Sequence, residues 1–123
     1  MPDSFVSPNG IVIALPADLI FGARIRATAE AVGAPIIIAK NPQDLLARLR
    51  ESNVRMIILD LDRRGLAITD TVREIKASSS APLLAYVSHT REDAIREAAA
   101  AGADKVMARG AFAKQLAELL KVS

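Results

Sequence analysis

Carboxylate, hydroxyl and guanidinium side chains follow the apolar segments of this chain where strands would end. Asp60 comes directly after the run Met56–Leu59, Ser88 follows a later apolar run, and Arg109 follows the last one. Parallel sheets bind ligands beyond the carboxyl ends of their strands, so these side chains should meet at one rim. There an arginine could pair with an oxyanion. The chain contains no GxGxxG or GxxxxGK(S/T) loop, which argues against a dinucleotide or P-loop nucleotide site.

The strands that must position these residues are predicted from short apolar runs. There are five of them: Ile11–Leu15, Pro35–Ala39, Met56–Leu59, Leu83–Val87 and Lys105–Ala108. Four are nearly continuous stretches of β-branched residues and Leu, which is typical of strands buried on both faces of a parallel sheet. The fifth run is the weakest, and we expect it at an edge.

Helical patterns separate the strands. The predicted helices cover Pro16–Val32, a segment beginning at Asn41–Pro42, Ile68–Ala77, Ala94–Ala101 and Phe112–Lys121. Gly33 and Gly102 are expected to end the first and fourth helices. Thr90 with Asp93 resembles a capping box before the fourth helix. This β-α order, repeated five times, predicts a flavodoxin-like (βα)5 fold, a doubly wound parallel five-stranded sheet in a three-layer α/β/α arrangement.

Composition limits the remaining classes of function. The chain has 123 residues, no cysteine, one histidine and a net charge of +2, so thiolate metal sites and histidine clusters are excluded. Basic and acidic residues are mixed along the helices, which argues against a nucleic-acid partner. No signal-peptide pattern or membrane-length apolar run is present in the sequence. We therefore expect one stand-alone domain covering residues 1–123, cytoplasmic and without a membrane partner.

Three segments resemble receiver domains of response regulators, the CheY-like family. The segment ILDLDRRG is similar to the phospho-acceptor strand and loop of these domains. PLLAYVSH, followed by a helix that ends in AAAAGADKVMARGAF, is similar to their fourth strand, fourth helix and fifth strand. The resemblance covers essentially the whole chain. It implies that Asp60 is the phospho-acceptor candidate and that Asp62 would offer its backbone carbonyl to Mg²⁺. It also places Arg109 at the position of a conserved-type lysine, followed by Gly110 instead of proline.

Other positions depart from the receiver pattern. The acid pair that holds Mg²⁺ in this family falls on Pro16 and Ala17, and Asp18 lies one place too late. Val87 falls on the switch Thr/Ser position, with Ser88 one residue beyond. Only Asp60 and a shifted Asp18 could then supply carboxylates, although Mg²⁺ needs near-octahedral oxygen ligation. If a cofactor binds, we expect it to be Mg²⁺ at Asp60 and Asp62.

The resemblance implies an atypical receiver, or pseudo-receiver, in two-component signalling. It would not be an enzyme and would act mainly by binding a signalling protein partner. Two alternatives stay open: Asp60 accepts phosphate from a histidine kinase, or the pocket of Asp18, Asp62, Ser88 and Arg109 binds a small anion. A homodimer could form through the face made by the fourth helix, fifth strand and fifth helix.

Purely structural roles are the alternative to these functional assignments. Asp60 could be a structural carboxylate bonded to backbone amides or to Arg109. Ser88 and Thr90 are expected to cap a helix, and Arg63 and Arg64 to be solvated loop charges.

Overall fold

The computed structural model describes residues 10–121, which form five successive strand and helix units. The elements are β1 (Ile11–Leu15), α1 (Leu19–Val32), β2 (Ile36–Ile38), α2 (Pro42–Glu51), β3 (Val54–Asp60), α3 (Ile68–Ser78), β4 (Leu83–Val87), α4 (Glu92–Ala101), β5 (Lys105–Ala108) and α5 (Arg109–Leu120). The strands form one parallel sheet in the order β2-β1-β3-β4-β5. The predicted flavodoxin-like fold is confirmed. No helix within residues 10–121 is long and apolar enough to cross a membrane.

Alternation along each strand divides the core between the two faces of the sheet. Ile13 and Ile57 point to the face covered by α2, α3 and α4. Val12 and Ile58 point to the opposite face, which packs against α1 and α5. Because side chains repeat every second residue in a strand, Asp60 lies on the same face as Ile58. The acid therefore ends β3 on the side from which α5 approaches.

Two helix boundaries match their sequence signals. Asn41 caps α2, its side chain accepting a hydrogen bond from the Asp44 amide at 2.8 Å, and Pro42 is the first residue of the helix. Gly33 ends α1 with φ of 75°, a left-handed conformation that favours glycine because it lacks a Cβ.

The beginning of α1 differs from the prediction. The helix starts at Leu19, three residues later than Pro16, because Asp18 is its N-cap and accepts a hydrogen bond from the Phe21 amide at 2.7 Å. A side-chain oxygen that satisfies a free amide of the first turn stabilises this starting point.

The predicted start of α4 is wrong. The helix begins at Glu92 after Arg91, with no side-chain cap, so Thr90 and Asp93 do not form a capping box. Ser88 does not cap it either, because its hydroxyl is bonded to Asp62. The last helix also begins earlier than predicted, at Arg109.

The two edges of the sheet are β2 and β5. The edge position predicted for β5 is confirmed. The expectation that the Pro35–Ala39 run is buried on both faces is wrong, since all three residues of β2 are only partly buried. An edge strand has one neighbour instead of two, which leaves its outer side open.

Candidate functional site

Four of the polar residues selected from the sequence meet at the carboxyl edge of the sheet. Asp60 is the last residue of β3, and Asp62 lies in the turn that follows. Ser88 comes directly after β4, and Arg109 is the first residue of α5. Hydrogen bonds connect Asp60 and Ser88 to one another through Asp62 and Arg109. We refer to these four residues as the rim cluster.

Asp60 is fully buried, and both oxygens of its carboxylate accept hydrogen bonds. The side chain is 0% exposed. Oδ1 accepts from the Asp62 amide at 2.9 Å and from Arg109 Nη2 at 3.1 Å. Oδ2 accepts from the Ala17 amide at 3.1 Å and from Arg109 Nη2 at 3.0 Å. Two backbone amides and the Arg109 Nη2 group, whose two hydrogens are shared among three carboxylate oxygens, thus surround the Asp60 carboxylate. A metal ion or a phosphoryl group could reach it only if Arg109 withdrew.

Asp62 links the strand ends of β3 and β4. Its Oδ2 accepts from the Ser88 amide at 2.8 Å, from Ser88 Oγ at 2.7 Å and from Arg109 Nη2 at 3.1 Å. Its Oδ1 lies 3.4 Å from Arg91 Nη1. Partial burial pushes the pKa of Asp62 up, but the hydrogen bonds from Ser88 and Arg109 outweigh burial. The net pKa lies below the ordinary value of 3.8, so the side chain is ionised at neutral pH.

Arg109 is the cation that holds both acids. A single nitrogen, Nη2, lies within 3.1 Å of oxygens from Asp60 and Asp62. The guanidinium carbon lies 5.0 Å from the Phe21 ring centre and 5.3 Å from that of Tyr86, within range of cation–π attraction. Partial burial lowers the pKa of Arg109, but the two carboxylates raise it by a larger amount. The cluster therefore contains two negative charges bound to one permanent positive charge.

Tyr86 forms the apolar floor of the cluster. It is paired with Asp60 across β3 and β4, and its ring stacks on Phe112 with centres 4.2 Å apart. Its buried hydroxyl has no hydrogen-bond partner of good geometry. Burial, followed by the negative charge of the neighbouring Asp60, raises the pKa of Tyr86. The phenol therefore stays neutral beside the ion pair.

The loop after β1 does not bring a second carboxylate to Asp60. Pro16 and Ala17 occupy the predicted positions of the acid pair, and both contribute backbone atoms instead. The Pro16 carbonyl accepts from Arg63 Nη1 at 3.0 Å, and the Ala17 amide donates to Asp60. The exposed Asp18 uses its Oδ1 to cap α1. Asp18 thus serves the helix and does not hydrogen-bond to the rim cluster.

The residues at this rim do not fit a Mg²⁺ ion. Within residues 10–121, no group of three or more His, Cys, Asp and Glu side chains could hold a metal. A Mg²⁺ site needs oxygen ligands in near-octahedral geometry, whereas the oxygens of Asp60 all face N–H donors. The Arg109 guanidinium supplies the positive charge that a metal would bring.

Three contributors to this region were not identified as such from the sequence. Arg91 contacts Asp62 and the Leu61 carbonyl, each at 3.4 Å. Arg63 was expected to be a solvated charge, which is wrong, since its guanidinium joins the carbonyls of Pro16 and Lys40. Tyr86 could have been found, because it lies two residues before Ser88 and shares the face of Asp60. The arginine contacts had no local signal.

Comparison with solved structures identifies the fold. A response regulator receiver domain protein from Clostridium thermocellum superposes with a TM-score of 0.76 and 19% identity, covering 89% of each chain. The chain has the fold of a response-regulator receiver domain. CheY4 from Vibrio cholerae gives a TM-score of 0.75 at 18% identity, covering 89% of this chain and 93% of CheY4. The sequence-based resemblance to receivers is therefore confirmed for the fold.

A longer protein is among the similar structures. NtrX from Brucella abortus superposes with a TM-score of 0.78 and 17% identity over 89% of this chain, which spans only 25% of the NtrX chain. No model of a known protein family matches the sequence. No curated protein matches it either. At these identities the receiver likeness describes the fold alone.

Proposed function

We propose that this receiver-fold chain is a non-enzymatic module of two-component-type signalling that acts by binding a protein partner, independently of phosphorylation. One observation carries the proposal: the carboxylate of Asp60 is buried and is surrounded by the amides of Ala17 and Asp62 and by the Arg109 guanidinium. An acid in this state is a structural ion-pair partner instead of an accessible nucleophile.

The charges at the rim also support a function that is independent of phosphorylation. A phosphoryl group adds about −1.5 to −2 charges near neutral pH. A phosphoryl group on Asp60 would lie beside the ionised Asp62. The Asp60 Oδ1 is already 2.9 Å from the Asp62 amide nitrogen. Within residues 10–121, no group of three His, Cys, Asp or Glu side chains is present that could hold a neutralising metal. Arg109 would have to reorganise to stabilise both charges, and the contacts of its Nη2 with Asp60 and Asp62 oppose that movement.

The switch position supports it as well. Val87, which the receiver resemblance places at the switch hydroxyl, is fully buried in the core between the sheet and α4. The neighbouring Ser88 hydroxyl donates to Asp62 at 2.7 Å. A hydroxyl bound to a carboxylate is not free to follow a phosphoryl group. The switch position therefore lacks the hydroxyl that would couple phosphorylation at the rim to a movement of α4.

The surface that would bind a partner is identified by fewer observations than the rim cluster. Within residues 10–121, the exposed large apolar side chains are Leu19 and Ile20 on α1. The face formed by α4, β5 and α5 exposes alanines and charged residues instead, among them Ala100, Arg96 and Lys105. Homodimerisation through that face stays a prediction, and a contact there would depend on small and charged side chains.

The test is a ¹⁵N NMR titration of the full chain with millimolar Mg²⁺ and then beryllofluoride. We expect no rim shifts in the wild type. The matched comparison is the variant Ala17→Asp with Arg109→Lys, which restores one acid and removes the bridging guanidinium. We expect Mg²⁺-dependent shifts at Asp60 and Asp62 in that variant only.

The opposite result would establish the alternative function. Saturable Mg²⁺ and beryllofluoride shifts that spread from the rim into α4 in the wild type, and that disappear in Asp60→Asn, would show a working phospho-acceptor. Phosphorylation-independent signalling would then be wrong.

A further inference from the structure

A largely apolar groove runs between α1 and the edge strand β2, and one end of it reaches Ala17, next to the rim cluster. It consists of two adjoining cavities of about 460 and 310 Å³. Both are lined by Pro16, Asp18, Leu19 and Ile38, so they form one continuous depression. We call it the α1–β2 groove. Each cavity falls within the range of volumes typical of small-molecule sites.

The walls of the groove are small or apolar side chains. α1 contributes Gly22, Ala23 and Ala27 along one side, and Ile38 closes the other. Leu19 lies at the open edge of the groove, with 92% of its surface exposed. Large exposed apolar side chains next to an apolar depression mark a binding surface more often than isolated ones do. From Leu19 to Glu30 the helix provides a trough about 16 Å long.

Positive charge is concentrated at the end of the groove beside β2 and the β3–α3 loop. Lys40 and Arg63 line that end. Two N–H groups of Arg63 donate to the carbonyls of Pro16 and Lys40, at 3.0 and 2.8 Å. A guanidinium has five N–H donors, and no carboxylate within residues 10–121 pairs with this one. Backbone carbonyls fix its position without cancelling its charge.

Two acids lie near this end. The exposed Asp18 lines both cavities and keeps its charge, although its Oδ1 accepts from the Phe21 amide, so Lys40 and Arg63 leave a net positive charge there. Asp44, whose charge lies near Lys40, is paired with Arg48 at 3.2 Å. At the far end, Arg26 and Glu30 are both present and offset one another. An anionic group therefore finds its most favourable position between Lys40 and Arg63.

We propose that the α1–β2 groove binds a small amphiphile with a carboxylate head and a straight hydrocarbon chain. The carboxylate lies between Lys40 and Arg63, and the chain follows the trough past Ala23 and Ala27. Removing each CH₂ group of the tail from water is favourable, so the tail supplies most of the affinity and the cations supply the orientation. The proposed contacts do not include Asp60, although the Ala17 amide at the same end of the groove donates to it.

The probe is dodecanoate, titrated below its aggregation concentration into the full ¹⁵N-labelled chain. Dodecyltrimethylammonium tests the head, and butanoate tests the tail. We expect saturable shifts along Leu19–Ala27 and at Ile38 with dodecanoate, no saturable binding of the cationic amphiphile, and more than tenfold weaker binding of butanoate.

Two matched pairs of exposed variants test the placement. Lys40→Ala should weaken dodecanoate binding about fivefold, the effect of losing one exposed charge pair, whereas Lys105→Ala on the opposite edge should not. Ala23→Trp should block the trough and weaken binding more than tenfold, whereas Ala100→Trp on α4 should leave it unchanged. Circular dichroism confirms that each variant is folded.

Four results would overturn the proposal. The first three are the absence of saturable dodecanoate binding, equal affinity for the cationic amphiphile, and an equal loss of affinity in both variants of either matched pair. Shifts confined to the rim cluster would place the anion at Arg109 instead and would also contradict this site.

Discussion

Replacing Arg109 with alanine tests whether the rim cluster is a structural ion pair. The change removes the nitrogen that lies within 3.1 Å of oxygens from Asp60 and Asp62. Asp60, with no exposed surface, keeps only the amides of Ala17 and Asp62 as donors. Two carboxylates then face one another across a short loop without a bridging cation.

The expected loss follows from burial. Removing one partner of a fully buried ion pair costs about 3–5 kcal/mol. Because Arg109 is itself 30% exposed, water can enter the vacated space, and the lower end of that range, about 3 kcal/mol, applies. For a domain of this size, such a loss lowers the melting temperature by about 12 °C at roughly 4 °C per kcal/mol.

The measurement is urea unfolding followed by circular dichroism at neutral pH, together with a thermal scan. Arg96→Ala is the matched control, because Arg96 is an exposed residue of α4 and its loss should change stability by less than about 0.5 kcal/mol. Adding Asp60→Asn to Arg109→Ala removes the stranded charge. We expect this double variant to recover at least about 1 kcal/mol of the loss, since an unpaired buried charge costs more than a neutral amide.

Two outcomes would refute this reasoning. A loss for Arg109→Ala no larger than that for Arg96→Ala would mean that Asp60 does not need the guanidinium. Further destabilisation of the double variant by Asp60→Asn would mean that the carboxylate is stabilised by its remaining donors alone.

Two more predictions concern the groups around Arg109. The pKa of Asp62 is lowered in the folded chain, so its ionised form stabilises the fold above the unfolded pKa of about 3.9 and that contribution is lost as pH falls through the lower folded value. Unfolding free energy measured below about pH 4 should therefore fall less steeply in Asp62→Asn, and an unchanged slope would contradict the assignment. Tyr86→Phe removes a buried hydroxyl without a partner, so its unfolding free energy should stay equal or rise by about 1 kcal/mol. A clear decrease would reveal a hydrogen bond from that hydroxyl to Asp60.

The fold could be predicted because its signals are local. Apolar runs such as Ile11–Leu15 and Leu83–Val87 separate helical patterns, and a strand or helix needs only its own periodicity to be recognised. Carboxyl ends of parallel strands share one edge, so the sequence alone places Asp60, Ser88 and Arg109 at one rim.

Helix beginnings were harder to predict, since several residue types can cap a helix and the choice depends on their other contacts. Asn41 caps α2 as predicted. Ser88 did not take the expected capping role because the Asp62 carboxylate, 26 residues earlier, accepts from its hydroxyl.

What the sequence by itself determined was the order of the elements and the residue types at the strand ends. Tertiary structure alone decided which groups bond: the Ala17 amide reaches Asp60 across 43 positions of sequence, and Arg109 reaches it across 49. The depression between α1 and β2 likewise depends on how closely Gly22 lets the helix approach Pro16, where an added Cβ would come within 3.0 Å of Pro16 Cγ. Contacts of this kind depend on distances set by packing of the whole sheet, and local periodicity contains no information about them.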